Sequence, residues 1–291
     1  MKKILTIIFA ATSCILNAQP YLDIAKINYS YSPAGGLNDK KYPLQSNFAN
    51  INLNLPIELK KGGDAIIFNP FFENNEGRIS TVDFHLQSVG FLLGFLKKDI
   101  IEGWNMLAGF IVRQNGQVHH TLKDDWQYGA LFITTYRRNE LLSLKFGIYY
   151  NKEFFGNYFI PLAGIDWQIN AKDNLFGVLP GNLIFDHKVN AQFHYGISFR
   201  ALTNSYRLET PDACALGDCS GKNYLRIDDN QLGLFSDFYL SRKIVFTGEI
   251  GYTILRRYRF GFKGDKINSK NDERTDNFYA RVSLAYRLPL R

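Results

Sequence analysis

The segment that most constrains the fold is residues 277–287, where apolar and polar residues alternate strictly. Every second position is apolar: Phe278, Ala280, Val282, Leu284, Tyr286 and Leu288. The positions between them are Tyr279, Arg281, Ser283, Ala285 and Arg287. A period of two places these sets on opposite faces of a β-strand. Such a strand suits the closing position of a membrane β-barrel and also a soluble sandwich, so this segment alone leaves both open.

Composition narrows the choice of fold class. The chain has 291 residues, and after residue 20 no stretch is apolar for the roughly 18 residues that a spanning helix needs. This excludes the helical class of membrane proteins. Aromatic residues make up 15% of the chain, with 24 Phe and 17 Tyr, which favours strands. The net charge of +7 is spread over turns and loops, so we expect no nucleic-acid partner.

The first 18 residues have the features of a signal peptide. Lys2 and Lys3 precede an apolar core at 4–15, and cleavage after Ala18 would leave residues 19–291 as one domain. A lipoprotein signal at Cys14 is the alternative, disfavoured by the apolar residues that follow it. An exported chain folds under oxidising conditions.

Residues 49–59 repeat the alternation and favour a barrel in a membrane. One face is apolar, whereas the other includes Asn50, Asn52 and Asn54. In a soluble core each asparagine would need several hydrogen-bond partners. On the water-facing wall of a barrel, solvent satisfies them.

Two kinds of connection alternate along the chain. The short ones are charged, at 97–99, 137–140, 171–174 and 241–243. The longer ones lie at 114–125, 151–157, 208–223 and 262–276. Short turns on one rim and long loops on the other are typical of outer-membrane barrels.

The strand count depends on Leu175–His187. Counted as one strand, this segment gives 13 strands in total, whereas bacterial single-chain barrels have an even number. Splitting it at Leu179–Asn182 gives 14, and Pro180 supports a break because it cannot donate to a strand ladder. We therefore predict an all-β fold, an antiparallel transmembrane β-barrel of about 14 strands, with 12 as the alternative. A change of apolar parity around Gly90 predicts a β-bulge there.

Three further segments, Asn151–Asn170, Leu175–Asn182 and Tyr224–Gly233, carry a resemblance to a known family. They resemble an uncharacterised family of Bacteroidetes-type outer-membrane β-barrel proteins, a domain of unknown function. The resemblance implies the barrel fold and a location in the outer membrane of a Gram-negative cell. It implies no activity, because the family has none assigned.

Few residues suggest chemistry. Cys214 and Cys219 lie in one glycine-containing loop and are candidates for a disulfide, since two thiolates without a nearby His make a poor metal site. His194 and Ser198 share one face of a strand but are four residues apart, about 13 Å, too far for a nucleophile pair. We expect no enzyme activity, no cofactor and no bound metal.

The residues predicted to line the lumen are charged: Lys26, Glu58, Lys145, Arg200, Asp237, Glu249, Arg281 and Arg287. The five basic ones outnumber the three acidic ones, which predicts a mild anion preference if the lumen is open. The leading function is a passive pore or small-solute uptake channel. The alternatives are a structural or surface-interaction barrel that acts through its extracellular loops and, less favoured, a lipid-modifying hydrolase. The expected partners are outer-membrane lipid and the barrel-assembly machinery.

Overall fold

The computed structural model describes residues 20–34, 44–59, 63–79, 82–117, 125–208, 224–261 and 275–290. Within these ranges, no helix is long and apolar enough to cross a membrane. The strands are β1 Tyr21–Ser32, β2 Leu44–Leu53, β3 Leu55–Glu58, β4 Ala65–Ile79, β5 Val82–Ile101, β6 Trp104–Gln117, β7 Trp126–Arg137, β8 Leu142–Glu153, β9 Gly156–Gln168, β10 Asp173–Leu179, β11 Asn182–Lys188, β12 Phe193–Arg207, β13 Tyr224–Tyr239, β14 Ile244–Gly261 and β15 Phe278–Pro289.

The strands form one closed antiparallel barrel. Each strand pairs with its neighbours in sequence, and β15 pairs with β1 from Tyr21↔Pro289 to Tyr31↔Ala280. Both β2 and β3 pair with β4 and are separated by Asn54 alone, so together they fill one position in the wall. The barrel therefore has 14 strands, as predicted, and its last segment closes it onto the first.

The predicted split of residues 175–187 is confirmed. β10 and β11 are antiparallel partners of seven residues each, joined by Pro180 and Gly181. They are the shortest strands of the wall apart from β3, which continues β2. This hairpin is much shorter than β9 and β12 on either side of it.

The outer surface of the barrel is apolar in the part nearer the short turns, which we call the lower part, as a membrane requires. Leu234, Ile250 and Phe278 are each at least 59% exposed on this surface. In β15 the predicted alternation holds, with Phe278 to Tyr286 outward and the residues between them buried. Leu288 departs from the pattern, because it is buried opposite its ladder partner Leu22.

Asparagines line the inner face of β1, β2 and β4 and bind one another. Asn28 Nδ2 donates to Asn50 Oδ1 (2.5 Å). Asn69 Nδ2 lies 3.0 Å from Asn52 Oδ1 and 2.5 Å from Asn54 Oδ1. The amides predicted to face water therefore form a row along the inside of the wall.

The β-bulge predicted at Gly90 was wrong. β5 pairs with β4 without a register shift from Val82 to Leu96. Phe84 and Leu86 are buried inside the barrel, whereas Leu93 and Phe95 point outward. The apolar face changes because β5 has 20 residues, and a membrane needs only about 9–11. Its upper half stands in water, where the apolar face must turn inward.

The upper half of the barrel therefore holds an apolar core. Its members come from both sides of the barrel: Leu44, Ile79, Phe84, Leu86, Tyr206, Leu208, Leu225, Ile227, Tyr258 and Phe260. Because outer-membrane barrels have short turns at the periplasmic end and longer loops outside, we assign the rim of short charged turns, toward which the membrane half lies, to the periplasm and this upper half to the extracellular side. We call its residues the extracellular core.

The long loop predicted at 151–157 was also wrong. β8 ends at Glu153 and β9 begins at Gly156, so Phe154 and Phe155 make a tight turn. β6 likewise runs to Gln117, four residues into the connection predicted at 114–125, whereas β12 ends at Arg207, directly before the one predicted at 208–223. Cys214 and Cys219, the disulfide candidates, lie outside the described residues.

Candidate functional site

The polar interior of the membrane half is the candidate functional site, and it contains two groups of charges. The first, the periplasmic cluster, centres on Arg287 of β15. Its guanidinium donates from Nε to Asp23 Oδ1 (2.6 Å) and from Nη1 to Asp237 Oδ2 (2.5 Å). Its carbon Cζ also lies 3.5 Å from the ring centroid of Tyr21. Lys26 Nζ approaches Asp23 Oδ2 at 3.6 Å.

The second group, the central cluster, surrounds the buried Glu249 of β14. Arg200 binds this carboxylate with both terminal nitrogens of its guanidinium, from Nη1 to Oε1 (2.6 Å) and from Nη2 to Oε2 (2.9 Å). Arg281 Nη1 (3.1 Å) and Tyr279 Oη (2.6 Å) donate to the same oxygen, Oε1. Arg281 also donates to Gln231 Oε1.

Two glycines make room for this arrangement. A Cβ at Gly251 would collide with the ring of Tyr279, and one at Gly233 would collide with its hydroxyl and with Glu249. Glycine at these wall positions therefore lets Tyr279 lie flat against the inner face.

The structure places the predicted lumen residues inside the barrel. Ion pairs in the interior involve Lys26, Arg200, Asp237, Glu249, Arg281 and Arg287, as described above. Lys145 binds Asp166, with Nζ 2.8 Å from Oδ1. The eighth, Glu58, is half-buried at the end of β3.

The count of five basic and three acidic residues missed several partners. Asp23 escaped notice because a register shift between Asp23 and Ala25 breaks the alternation of β1. Asp166 has an inward position in β9, the same feature that identified the other lumen residues, but it was not among those predicted. Arg113 and Glu153 bind each other inside the barrel. Glu153 was missed because it lies in the connection predicted at 151–157, and Arg113 because it directly precedes the one predicted at 114–125. With these partners included, six basic residues stand against six acidic ones, and the counted excess of positive charge disappears.

A third buried network, the edge-capping cluster, lies higher in the barrel and binds one residue of β12. Ser205 N donates to Glu153 Oε2 (3.2 Å), and Ser205 O accepts from Asn115 Nδ2 (3.1 Å) and Gln127 Nε2 (3.3 Å). These backbone groups are on a stretch of β12 that has no ladder partner on the β11 side. Side chains of β6, β7 and β8 thus replace a missing strand, as buried backbone groups demand.

Contacts cross the interior at three levels. Near the periplasm, Tyr21 of β1 meets Phe176 of β10 edge to face, with ring centroids 5.3 Å apart. Higher up, Arg113 Nη1 of β6 donates to Asn204 Oδ1 of β12 (2.7 Å). In the extracellular core, Phe84 and Tyr258 have ring centroids 5.8 Å apart. These strands are on nearly opposite sides of the barrel, so side chains span the interior at each of these levels.

The histidine and serine of β12 have different partners. His194 Nδ1 lies 3.3 Å from Asp186 Oδ2, whereas the fully buried Ser198 accepts from Arg200 Nη1 (3.3 Å). His194 and Asp186 border a cavity of about 350 Å³ at the periplasmic end, together with Tyr239 and Arg287. Across the described parts of the chain, no three His, Cys, Asp or Glu side chains are grouped so as to hold a metal ion.

The family model that matches this chain carries no assigned activity. One family model, described as Domain of unknown function (DUF6268), matches residues 85–287, more than half of the chain. No curated protein matches.

Several solved structures are similar at low identity. The outer membrane channel from Pseudomonas putida F1 is 12% identical, with TM-score 0.46 over 93% of this chain and 96% of that one. The translocator domain of the autotransporter NalP from Neisseria meningitidis is 8% identical, with TM-score 0.39 over 99% and 95%. The outer membrane phospholipase of Salmonella typhi is 9% identical, with TM-score 0.38 over 98% of both chains. We infer nothing about substrates from alignments this weak.

Proposed function

Since this chain belongs to that family of unknown function, we propose a function from its own interior: a small-solute channel of the outer membrane, closed in the described state. The observation that carries the proposal is the ion-paired lumen of the membrane half. Buried ion pairs contribute little to stability compared with apolar packing. The extracellular half of this barrel shows that the same wall accommodates an apolar core. Charges kept inside the membrane half therefore favour the passage of polar solutes.

Opening requires that the cross-lumen contacts separate. The extracellular core is the driest of them, and an apolar constriction excludes water until it widens. The polar clusters beneath it exchange their bonds for bonds to water at little net cost. The extracellular core is thus the gate of the proposed channel.

Conductance in planar bilayers tests this proposal. Wild-type protein should give rare, small steps, and Phe84→Ala should increase their frequency because it removes the ring that meets Tyr258. Phe95→Ala, on the outer face of the same strand, is the matched control and should behave like wild type. Folded protein without steps, in wild type and in Phe84→Ala, would rule out the channel.

Charge selectivity provides a second test. Glu249→Gln leaves Arg200 and Arg281 without their shared carboxylate, so the open lumen should prefer anions more than wild type does. The preference should weaken as salt shortens the Debye length from ~10 Å at 0.1 M to ~3 Å at 1 M. Asp83→Asn removes one acidic charge from the exposed rim and is the control. A reversal potential equal in all three proteins would contradict an ion path past Glu249.

A surface-interaction barrel is the second candidate, favoured by the sealed extracellular core. It becomes the leading function when no variant conducts. A hydrolase lacks comparable support, because His194 and Ser198 bind different partners. Outer-membrane lipid and the barrel-assembly machinery stay the proposed partners.

A further inference from the structure

In the part of the chain that the structure describes, no strand lies between β9 and β12 above the β10–β11 hairpin. The last ladder pairs of the hairpin are Leu179↔Ala163 on the β9 side and Asn182↔Arg200 on the β12 side. Above them, Gly156–Leu162 forms a ladder only with β8. On β12, Ala201 N still donates to Gly181 O (3.0 Å), and Leu202–Tyr206 then forms a ladder only with β13. We call the boundary between these two free strand edges the seam.

The seam begins inside the membrane. Seven residues at ~3.3 Å each, tilted by ~40°, rise only about 18 Å, whereas the apolar band of such barrels is about 25 Å tall. β9 stays apolar on its outer face above the hairpin, with Pro161 exposed and Phe159 61% exposed. Proline suits a free edge because it has no N–H to leave unpaired.

Side chains hold the two edges together. Tyr158 Oη lies 3.4 Å from Thr203 Oγ1. Arg226 of β13 lies over the ring of Phe155, with Cζ 4.1 Å from its centroid, and 5.6 Å from that of Tyr158. Arg207 lies over Phe154 at 4.9 Å. We call these contacts the latch.

The latch differs in kind from the ladders elsewhere in the wall. Ladders of backbone hydrogen bonds join the other neighbouring strands over their paired lengths. At its upper end the seam is also closed by the edge-capping cluster, in which Ser205 of β12 binds Glu153 of β8 and accepts from Phe154 N (3.1 Å). Below that cluster the latch has a few side-chain contacts, each individually weak. Among the described strands, ladders are also missing beside β3, at the periplasmic end, and beside Ile254–Gly261 of β14, in the extracellular half. The seam differs from these because it begins within the membrane half, where it faces lipid.

The interior just beneath the seam suits an anionic head group. Arg200, the last paired residue of β12 below the seam, is 22% exposed at its side chain and turns into the lumen. Arg200 and Arg281 share the single carboxylate of Glu249, so these three residues have one positive charge in excess. A carboxylate that arrived from the seam would meet Arg200 first.

We propose that the seam is a lateral opening through which a single-chain anionic amphiphile passes between the outer leaflet and the lumen. The apolar edge at Phe159 and Pro161 accommodates the chain, and Arg200 receives the head group. The inference deepens the proposed channel by naming a route and a class of solute. It does not require an open extracellular core.

A cysteine behind the latch tests the route. Leu202 lies on the free edge of β12, borders the internal cavity and is 37% exposed. Leu202→Cys, with Cys214 and Cys219 replaced by serine, is reconstituted in phosphatidylcholine vesicles. The thiol is then treated with N-dodecylmaleimide dissolved in the bilayer or with a charged maleimide in water. The bilayer reagent should react faster.

Arg226→Ala should raise the labelling rate of Leu202→Cys with the bilayer reagent. The expected increase is about tenfold, because the variant loses two partly desolvated cation–π contacts. Arg78→Ala is the matched control, since it also removes an arginine paired with an aspartate, at the tip of β4 and away from the seam. Arg226→Lys keeps the charge and should be intermediate. Ile227 borders the same cavity as Leu202. If Leu202→Cys does not fold, Ile227→Cys takes its place as the labelled variant.

Equal rates in Arg226→Ala and Arg78→Ala, or a faster reaction with the aqueous reagent, would overturn the lateral opening. The head-group assignment has its own test in the Arg226→Ala background. Oleate should slow labelling, oleyl alcohol should not, and Arg200→Gln should abolish the effect of oleate. Equal protection by both compounds would refute the role of Arg200. Labelling through the bilayer without conductance would retain the seam and remove the aqueous channel.

Discussion

The two halves of β5 alternate in the same register, but their apolar side chains lie on opposite faces of the wall. In the membrane half, Leu93 and Phe95 point outward to lipid. In the extracellular half, the outward positions are Asp83 and His85, and Phe84 and Leu86 are buried inside. The backbone register continues unbroken between them. A strand pattern thus defines two faces, and the surroundings decide which face is apolar.

The same inversion occurs across the barrel. β13 has outward Leu232 and Leu234 in its lower part, but Leu225 and Ile227 are buried inside higher up. The inner face changes accordingly, from ion pairs in the membrane to an apolar core above it. The upper half is thus built like a soluble protein, with the hydrophobic effect acting inward.

The largest effect should come from the extracellular core. Leu86→Ala removes a fully buried side chain there and should reduce the free energy of unfolding by about 2–5 kcal/mol. Leu92→Ala, also inward on β5 but only half-buried in the membrane half, should cost clearly less. Denaturant unfolding from lipid vesicles measures both. Similar losses would show that the two interiors are packed alike.

The next effect concerns the outer face. Leu93→Arg places a charge in lipid and should destabilise the barrel by about 2–4 kcal/mol if it lies near the midplane. His85→Arg, eight residues away on the same face, should change stability little because it stays in water. Comparable losses at both positions would contradict the boundary between the halves.

The smallest effect is at the extracellular tip. Hydrogen bonds from Arg78 lower the pKa of the Asp83 carboxyl, so this contact favours the folded state above the ordinary carboxyl pKa and is lost as pH falls through the lowered value. In Arg78→Ala the pKa of Asp83 should rise toward its ordinary value, measurable by NMR titration in micelles. Because both groups are exposed to solvent, stability should hardly change. An unaltered Asp83 pKa would show that the pair does not persist in solution.

The sequence alone predicted the barrel fold correctly. It led to a wrong prediction at the level where the surroundings of the wall change from lipid to water. Alternation in residues 277–287 and the need for an even strand count predicted the closing strand and the Leu179–Asn182 hairpin correctly. The bulge at Gly90 was wrong because alternation does not reveal where lipid gives way to water.

The site was predictable in part. Inward parity identified residues such as Arg200 and Glu249, but it did not show which charges bind each other across strands. The edge-capping cluster was missed because its partners come from four strands and meet only where β12 bends inward. A free strand edge is a property of the whole sheet, which local patterns do not contain.

The short β10–β11 hairpin also makes the two ends of the barrel different. At the periplasmic end the wall has 14 strands, and above β10 and β11 only 12 remain around the perimeter. At the ~4.8 Å spacing of paired strands, two strands fewer remove about 10 Å from the hydrogen-bonded perimeter. The wall thus has fewer strands on the side that holds the proposed gate than on the periplasmic side. A solute of the proposed channel is therefore selected for size on the extracellular side.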